Sequence, residues 1–359
     1  MTSGGINGEA TGGTGGDAGP TELLKEAAGG LLAGRHTPGV IAALVQGPNQ
    51  AVHAAGRLSW ARDEPVTTDT PFALGSVTKP FTALLLAVLA ERGEVSYDDP
   101  VEAHLPAAAA PRRAPDPPVT LLDLATHSGG LPRRPRGLYR RGLPQWFTDP
   151  YGSYRISDLY RDTTRLRPRR SRTVRYSTYG MGLLGQLLAN AAGTDYASLL
   201  AERVLRPLGM DATGIPGTPA PGGAARPATG HRRGRAVPAW TFDALAGAGA
   251  LYSTGPDLLR FLHANVHPHL TTLAAPLSAT HQPYHPWPRS PNDVSLGWYH
   301  RVARGRTLLW HTGGTGGFTA FVGFSPDAKA GAAVVANVTP THAQPVVRAG
   351  RRLLRAVIF

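Results

Sequence analysis

The chain has no cysteine in its 359 residues. A disulfide framework, a thiolate metal site and a cysteine nucleophile are therefore excluded. Lysine is nearly absent as well: Lys25, Lys79 and Lys329 are the only three, so 34 of the 37 basic residues are arginine. Acidic residues number 24, which leaves a formal charge of +13. No apolar run reaches 18 residues, so no transmembrane helix is predicted. The opening stretch MTSGGINGEATGGTGGDAGP lacks a basic segment followed by an apolar one. It does not read as a secretory signal, and the cytoplasm is the expected compartment. Its Gly/Thr composition buries too little surface to order itself, which makes residues 1–19 an expected flexible tail.

Apolar residues make up 42% of the chain, enough for one sizeable core. Residues 21–35 carry an apolar stripe of Leu23, Leu24, Ala27, Ala28, Leu31 and Leu32 at helical spacing, with Thr21 as the expected cap. GVIAALVQGPNQAVHAAG then reads as a hairpin turned at Gly-Pro-Asn-Gln. An apolar helix is predicted over 82–92, closed by Gly93 in the left-handed position, and a short one in VTLLDLATHSGGLP, capped by Thr120. Residues 133–175 show little periodicity beyond a helix at 156–165 and read as a long ordered insertion. Two helices follow, in TYGMGLLGQLLANAAG and DYASLLAERVLRPLG, then a loop over 214–238 and a helix in STGPDLLRFLHANV. The chain ends in three strand-like runs, RTLLWHTG, GFTAFVGFSP and AGAAVVANV, and a helix over 342–357. The expected fold is α+β: one antiparallel sheet built from both chain ends, flanked by the first and last helices, with a mostly helical middle region. A single domain is expected over 20–359, its sheet part at 20–77 and 245–359 and its helical part at 78–244.

Three short segments carry the chemistry. In LGSVTKPFTALLLAVLAERGE, Ser76 and Lys79 sit three apart at the head of an apolar helix. Side chains so spaced on a helix are neighbours, with Cβ atoms about 5–6 Å apart. A serine hydroxyl becomes nucleophilic when a base takes its proton. A lysine serves as that base once desolvation or a positive field lowers its pKa. A helix N-terminus beside Phe81, Leu84 and Leu85 offers both. Pro80 fits, because the first helical turn needs no N–H. Taken alone, the pair reads equally as an N-cap serine and a solvated first-turn lysine. In RYSTYG, Tyr176 at a helix start either relays a proton or simply packs in the core. In WHTGGTGGF, Gly313 and Gly314 at a strand end either present backbone N–H groups to a carbonyl oxygen or simply make a turn.

Together the three segments resemble the serine β-lactamase and penicillin-binding-protein superfamily, in its class C-like branch. That branch also holds esterases, D-amino peptidases, carboxypeptidases and acyltransferases. GSVTKPFTA matches the Ser-x-x-Lys motif, YST at 176–178 the Tyr-x-Asn motif and HTG at 311–313 the Lys/His-Thr/Ser-Gly motif. LLDLATHSGGLP, VLRPLGMDATG, LYSTGPDLLRFL and TGGFTAFVGFSPD look like family segments in the right order, and the resemblance spans roughly residues 22–340. It implies that Ser76 attacks an ester or amide carbonyl and becomes acylated, with Lys79 and Tyr176 sharing the acid and base roles. It implies an oxyanion hole from the backbone N–H groups of Ser76 and Gly314. It places His311, Thr312 and Gly313 beside Tyr176, where they bind a substrate carboxylate or tune the phenol. No metal or organic cofactor is implied. Thr178 stands where the family has Asn, a residue that helps hold the lysine and contacts the substrate. Its hydroxyl is shorter and lacks the paired donor and acceptor of an amide. That weakens the case for β-lactam or peptidoglycan-peptide recognition and suggests a changed acyl group.

Between Arg133 and Arg175 lie 13 arginines and three acids, a net +10. At the site entrance such a rim would steer an anionic partner: a phosphorylated small molecule, a coenzyme A thioester or an acidic carrier protein. As a product of GC-rich coding it would be merely a solvated surface. No nucleic-acid-binding module is recognisable. HPH at 267–269 and HQPYH at 281–285 lack the carboxylates that would argue for a metal site. The expectation is a cytoplasmic serine esterase, amidase or ATP-independent acyltransferase of small-molecule metabolism. It would act on an ester, thioester or amide through acyl-Ser76, with acyl donor and acceptor (or water) as partners. Neither nucleic acid nor membrane is an expected partner. A β-lactamase or D,D-carboxypeptidase is one alternative, and a non-catalytic binding protein that keeps the fold is another.

Overall fold

A computed structural model of the chain describes residues 19–34, 36–111, 116–165, 173–218 and 225–359. The tail expected over 1–19 lies outside these residues except for Gly19. The first helix, α1, spans Pro20–Leu32 and begins before its expected cap. Pro20 takes the first helical position, where its missing N–H costs nothing. Gly19, not Thr21, is therefore the capping residue. Strands β1 (Gly39–Gln46) and β2 (Asn49–Ser59) form the expected hairpin, with Gly47 left-handed at the turn. A short β3 (Arg62–Pro65) adds to the exposed edge.

After β4 (Phe72–Ala73) a 3-10 turn at Gly75–Val77 leads into α2 (Thr78–Glu91). This helix starts four residues before the predicted 82–92. Its first turn, Thr78, Lys79 and Pro80, is polar or imino and yet buried, so apolar periodicity registers only from the second turn onward. α3 (Leu121–Ala125) carries the expected Thr120 cap, reciprocated by Asp123. Among its described residues, which leave out 166–172, the Arg-rich stretch holds two α-helices, α4 (Arg136–Gly142) and α5 (Ile156–Thr164), where one helix was predicted. α6 (Thr178–Ala191) and α7 (Tyr196–Leu200) follow. α7 continues through a π-helical turn and a 3-10 turn to the left-handed Gly209.

The segment expected as loop over 214–238 contains a small hairpin, β5 (His231–Arg232) with β6 (Arg235–Ala236). Two-residue strands are too short for alternation to register. α8 (Ala246–Gly249), β7 (Tyr252–Ser253, paired with β4), α9 (Gly255–Val266) and α10 (Ala274–Thr280) come next. The chain closes with β8 (His285–Pro286), β9 (Asp293–Val294), β10 (Tyr299–Ala303), β11 (Arg306–Gly314), β12 (Thr319–Ser325), β13 (Ala330–Ala336) and α11 (Pro345–Ile358).

Nine strands form one antiparallel sheet in the order β3-β2-β1-β13-β12-β11-β10-β9-β8. The two ends of the chain meet inside it, where β1 pairs with β13 from Val40↔Ala336 to Gln46↔Ala330. This is the expected α+β sheet, extended by β8 to β10. Val40, Ala42 and Leu44 pack with Leu24 of α1 and Val346 and Leu353 of α11. Ile41, Ala43 and Val45 join Phe81, Leu84 and Phe261 on the other face. Burial on both faces explains why β1 and β13 read as unbroken apolar runs. Among the described residues no helix is long and apolar enough to cross a membrane.

One buried hydroxyl fastens the 3-10 turn to the β4–β7 region. Thr78 Oγ1 donates to the Gly75 carbonyl at 2.7 Å and accepts the Leu251 N–H at 3.1 Å. Thr78→Val keeps the shape and leaves that N–H buried without a partner. A loss of about 1–3 kcal/mol is expected, the usual cost of an orphaned buried donor, read as a lower urea midpoint at unchanged slope. An unchanged midpoint would show that the bond contributes nothing.

Candidate active site

Ser76 lies in the 3-10 turn rather than in the α-helix, and it is partly exposed between buried neighbours. The turn is possible because Gly75 adopts φ +52°, a region that side chains disfavour. A Cβ on Gly75 would also stand 2.8 Å from both the nitrogen and the oxygen of Gly314. Lys79, on the first turn of α2, reaches back to Ser76. Its Nζ is 3.0 Å from Ser76 Oγ and 2.7 Å from the Ala248 carbonyl, to which it donates. The whole lysine side chain is sealed from solvent, and Phe81, Leu84 and Leu85 are equally buried. Burial first, and the Arg133 charge second, hold the amine well below the usual lysine range. A neutral amine within hydrogen-bond reach of a serine hydroxyl is equipped to take its proton.

Tyr176 approaches from the segment before α6. That segment is pinned at its cap. Ser177 Oγ accepts the Gly180 N–H and donates to the Pro132 carbonyl, and the N–H groups of Thr178 and Tyr179 donate to the Arg133 carbonyl. Around the phenol ring stand Lys79 Nζ at 5.0 Å and the Arg133 guanidinium at 5.5 Å from its centroid. The imidazole of His127 lies 4.8 Å away and that of His311 6.1 Å. Burial pushes the phenol up to about 12, with the Ser76 hydroxyl and the Arg133 charge pulling the other way. Tyr176 is thus a protonated phenol at neutral pH, suited to donate or relay a proton.

β11 supplies the third side. Its ladder with β10 ends at Trp310, so His311 to Gly314 run on with β12 alone, Gly314 opposite Thr319. The free edge packs on the serine turn. A Cβ on Gly313 would overlap the Leu74 carbonyl oxygen, so only glycine admits the approach. The Gly75–Gly314 contact places the two backbone N–H donors expected to form the oxyanion hole, those of Ser76 and Gly314, on adjoining elements. Ser76, Tyr176, Thr312, Gly313 and Gly314 all line one cavity of about 750 Å³.

Besides the sealed Lys79, two residues from the sequence expectation stand apart from that cavity wall. His311 is buried behind it, its Nδ1–H donating to the Thr312 carbonyl at 2.8 Å. Burial above all keeps this imidazole well below its ordinary value. A neutral, covered ring can tune Tyr176 but offers no charge to a carboxylate. Thr178 is also buried, and it is not among the described residues that line the cavity.

The structure adds residues that sequence reasoning did not single out. His127, in LATHSGGLP, adopts φ +60° and accepts the Ser177 N–H at 3.4 Å. Burial above all lowers it to about 3. Its only sequence signal was its place inside a matching family segment. Ala248 contributes through its backbone, which no side-chain pattern reveals. Arg133 is the one arginine among the described cavity-lining residues, and Trp240, Trp287 and Tyr299 line the same space. Elsewhere in the Arg-rich stretch, Arg141 and Arg161 pair with Asp158, and Arg155 with Asp243.

Known proteins resemble this chain over most of its length. The profile of the Beta-lactamase family matches residues 24–357. A D-alanyl-D-alanine-carboxypeptidase/endopeptidase, AmpH, of Escherichia coli K12 is 28% identical, covering 89% of this chain and 84% of its own. A beta-lactamase of the same organism is 27% identical over 86% of both chains. An unguisins hydrolase of Aspergillus campestris is 27% identical over 86% of this chain and 59% of its own length. With the match running from the first helix to the last, the chain belongs to the beta-lactamase family and is an enzyme of that serine hydrolase superfamily.

Proposed function

We propose that the protein is a serine acyl-transfer enzyme that works on a small-molecule ester, thioester or amide through an acyl-Ser76 intermediate. The observation that carries this reading is the Lys79 amine, 3.0 Å from Ser76 Oγ, fully buried and held below its ordinary pKa. Ser76 Oγ attacks the carbonyl carbon while its proton passes to Lys79 Nζ. The oxygen of the tetrahedral intermediate takes the charge between the Ser76 and Gly314 N–H groups. The intermediate collapses, the bond to the leaving group breaks, and that group receives a proton through Tyr176. Lys79 reprotonates the phenol. Water or an acceptor hydroxyl or amine then attacks acyl-Ser76 by the same steps in reverse and regenerates the free serine. A cavity of about 750 Å³ suits a substrate of small-molecule size.

A β-lactamase or D,D-carboxypeptidase is the second reading, favoured by the activities in the names of the Escherichia coli relatives. Thr178 in place of the family Asn, withdrawn from the cavity wall, weighs against it. A non-catalytic binding role is disfavoured by the same Lys79–Ser76 contact, since a binder gains nothing from a desolvated lysine beside a serine. Intact-protein mass spectrometry after incubation with p-nitrophenyl esters separates these readings. The expected result is an acyl adduct and p-nitrophenol release with wild type and neither with Ser76→Ala. Turnover of nitrocefin without ester acylation would favour the second reading. No serine-dependent adduct and no turnover with either substrate would sink the catalytic reading.

Charge near the base sets the pH dependence. The Arg133 cation lowers both Lys79 and Tyr176. A base acts when deprotonated, so removing that cation raises its pKa. In Arg133→Ala the acid limb of kcat/KM for a neutral ester is therefore expected at higher pH than in wild type, whichever of the two groups takes the proton. A limb that stays in place or moves to lower pH contradicts this assignment.

A further inference from the structure

The Arg133 guanidinium has an unusual setting. It is exposed at the cavity that holds Ser76, and it stands over the Tyr176 ring at 5.5 Å. Its backbone is fixed by the Thr178 and Tyr179 N–H groups at 3.0 and 3.2 Å, so the side chain departs from a held point beside the N-terminus of α6. Three other arginines of the stretch are paired: Arg141 and Arg161 with Asp158, Arg155 with Asp243. Among the described residues no carboxylate pairs with Arg133, and none lines the cavity. An anion entering here meets a cation and no opposing acid.

The geometry points to an oxyanion-binding subsite at Arg133, on the α6 side of Ser76, that selects substrates carrying a carboxylate or phosphate. A planar guanidinium suits both groups, because its fork of N–H donors matches two oxygens at once. Stacking over Tyr176 restricts the fork's orientation, so less freedom is lost when the anion binds. Binding also couples recognition to chemistry. An anion on Arg133 offsets the field that this cation exerts on Lys79, so the base becomes stronger when the right substrate arrives. The subsite narrows the substrate class of the acyl-transfer reading and rests on it for its use in turnover.

The test compares acyl donors that differ only in charge. Rates are measured on the pH plateau with p-nitrophenyl butyrate, mono-p-nitrophenyl glutarate and the p-nitrophenyl ester of 3-phosphonopropionate. The ratio of kcat/KM for an anionic ester to that for the neutral one cancels any common change in the nucleophile. In Arg133→Ala this ratio is expected to fall about tenfold or more, the scale of a charge-assisted hydrogen bond, for whichever anion the subsite prefers. Arg136→Ala, which removes a nearby exposed charge outside the cavity, is expected to leave it unchanged. A ratio within twofold of wild type in Arg133→Ala, or an equal fall in Arg136→Ala, overturns the subsite in favour of long-range steering or none. If no ester acylates Ser76, it is the acyl-transfer reading that fails, and binding alone decides the subsite. Titration with glutarate or inorganic phosphate should then change the emission of Trp240 and Trp287, which line the cavity, saturably in wild type and not in Arg133→Ala. No saturable change, or one that the variant keeps, overturns it.

Discussion

A lysine amine buried without a carboxylate is the constraint on which the rest of the site depends. Moving an isolated ammonium out of water is so unfavourable that the group neutralises instead. Burial among Phe81, Leu84 and Leu85 pushes Lys79 in that direction, with its Nζ between Ser76 Oγ and the Ala248 carbonyl. The Ala248 carbonyl fixes the direction of one N–H and leaves the amine facing the serine. Arg133 adds a positive field from the solvent side without forming a contact that would keep the amine charged. The burial of α2 on every side is thus a chemical requirement as well as a packing outcome.

Assembly of the site depends on close backbone approach between distant segments. The serine turn comes from the N-terminal third of the chain and the edge of β11 from its last fifth. They meet because β1 and β13 pair at the middle of the sheet. Glycine at 75 and 313 removes the side chains that would hold the two backbones apart, and glycine at 314 one that would run into Pro340. The approach also leaves the N–H groups of Ser76 and Gly314 on adjoining elements, the pair proposed to meet charge on a carbonyl oxygen. Tyr176 is fixed from the third direction by the cap of α6 and the Pro132–Arg133 strand of backbone bound to it.

Much of this was legible in the sequence, for reasons that differ by element. Helices α1, α2 and α6 carry long apolar patterns, and the terminal strands are apolar because both their faces are covered. Ser76, Lys79, Tyr176 and Gly314 were legible because each lies in a short segment whose chemistry and spacing agree. The start of α2 was misplaced because Thr78 and Lys79 are buried for their hydrogen bonds, which periodicity does not see. β8 and β9 escaped notice because they are two residues each and lie among Pro286, Pro288 and Pro291, and β10 because it is brief. His127 and Arg133 looked ordinary in sequence. Their meaning lies in where the fold brings them, 4.8 and 5.5 Å from the Tyr176 ring. The substrate contacts expected of Thr178 and His311 depend on exposure, which only the folded chain decides.

The scarcity of lysine makes the central claim directly measurable. Protein labelled with lysine carrying ¹³C at Cε yields only three side-chain signals, from Lys25, Lys79 and Lys329, and Lys79→Arg identifies one of them by its loss. Following the shifts against pH by NMR reads the protonation of the Lys79 amine itself. The Lys79 signal should titrate well below the usual lysine range, as a buried neutral base must. A midpoint near the unperturbed value of about 10.4 would mean that Lys79 is an ammonium at neutral pH and cannot take the proton from Ser76.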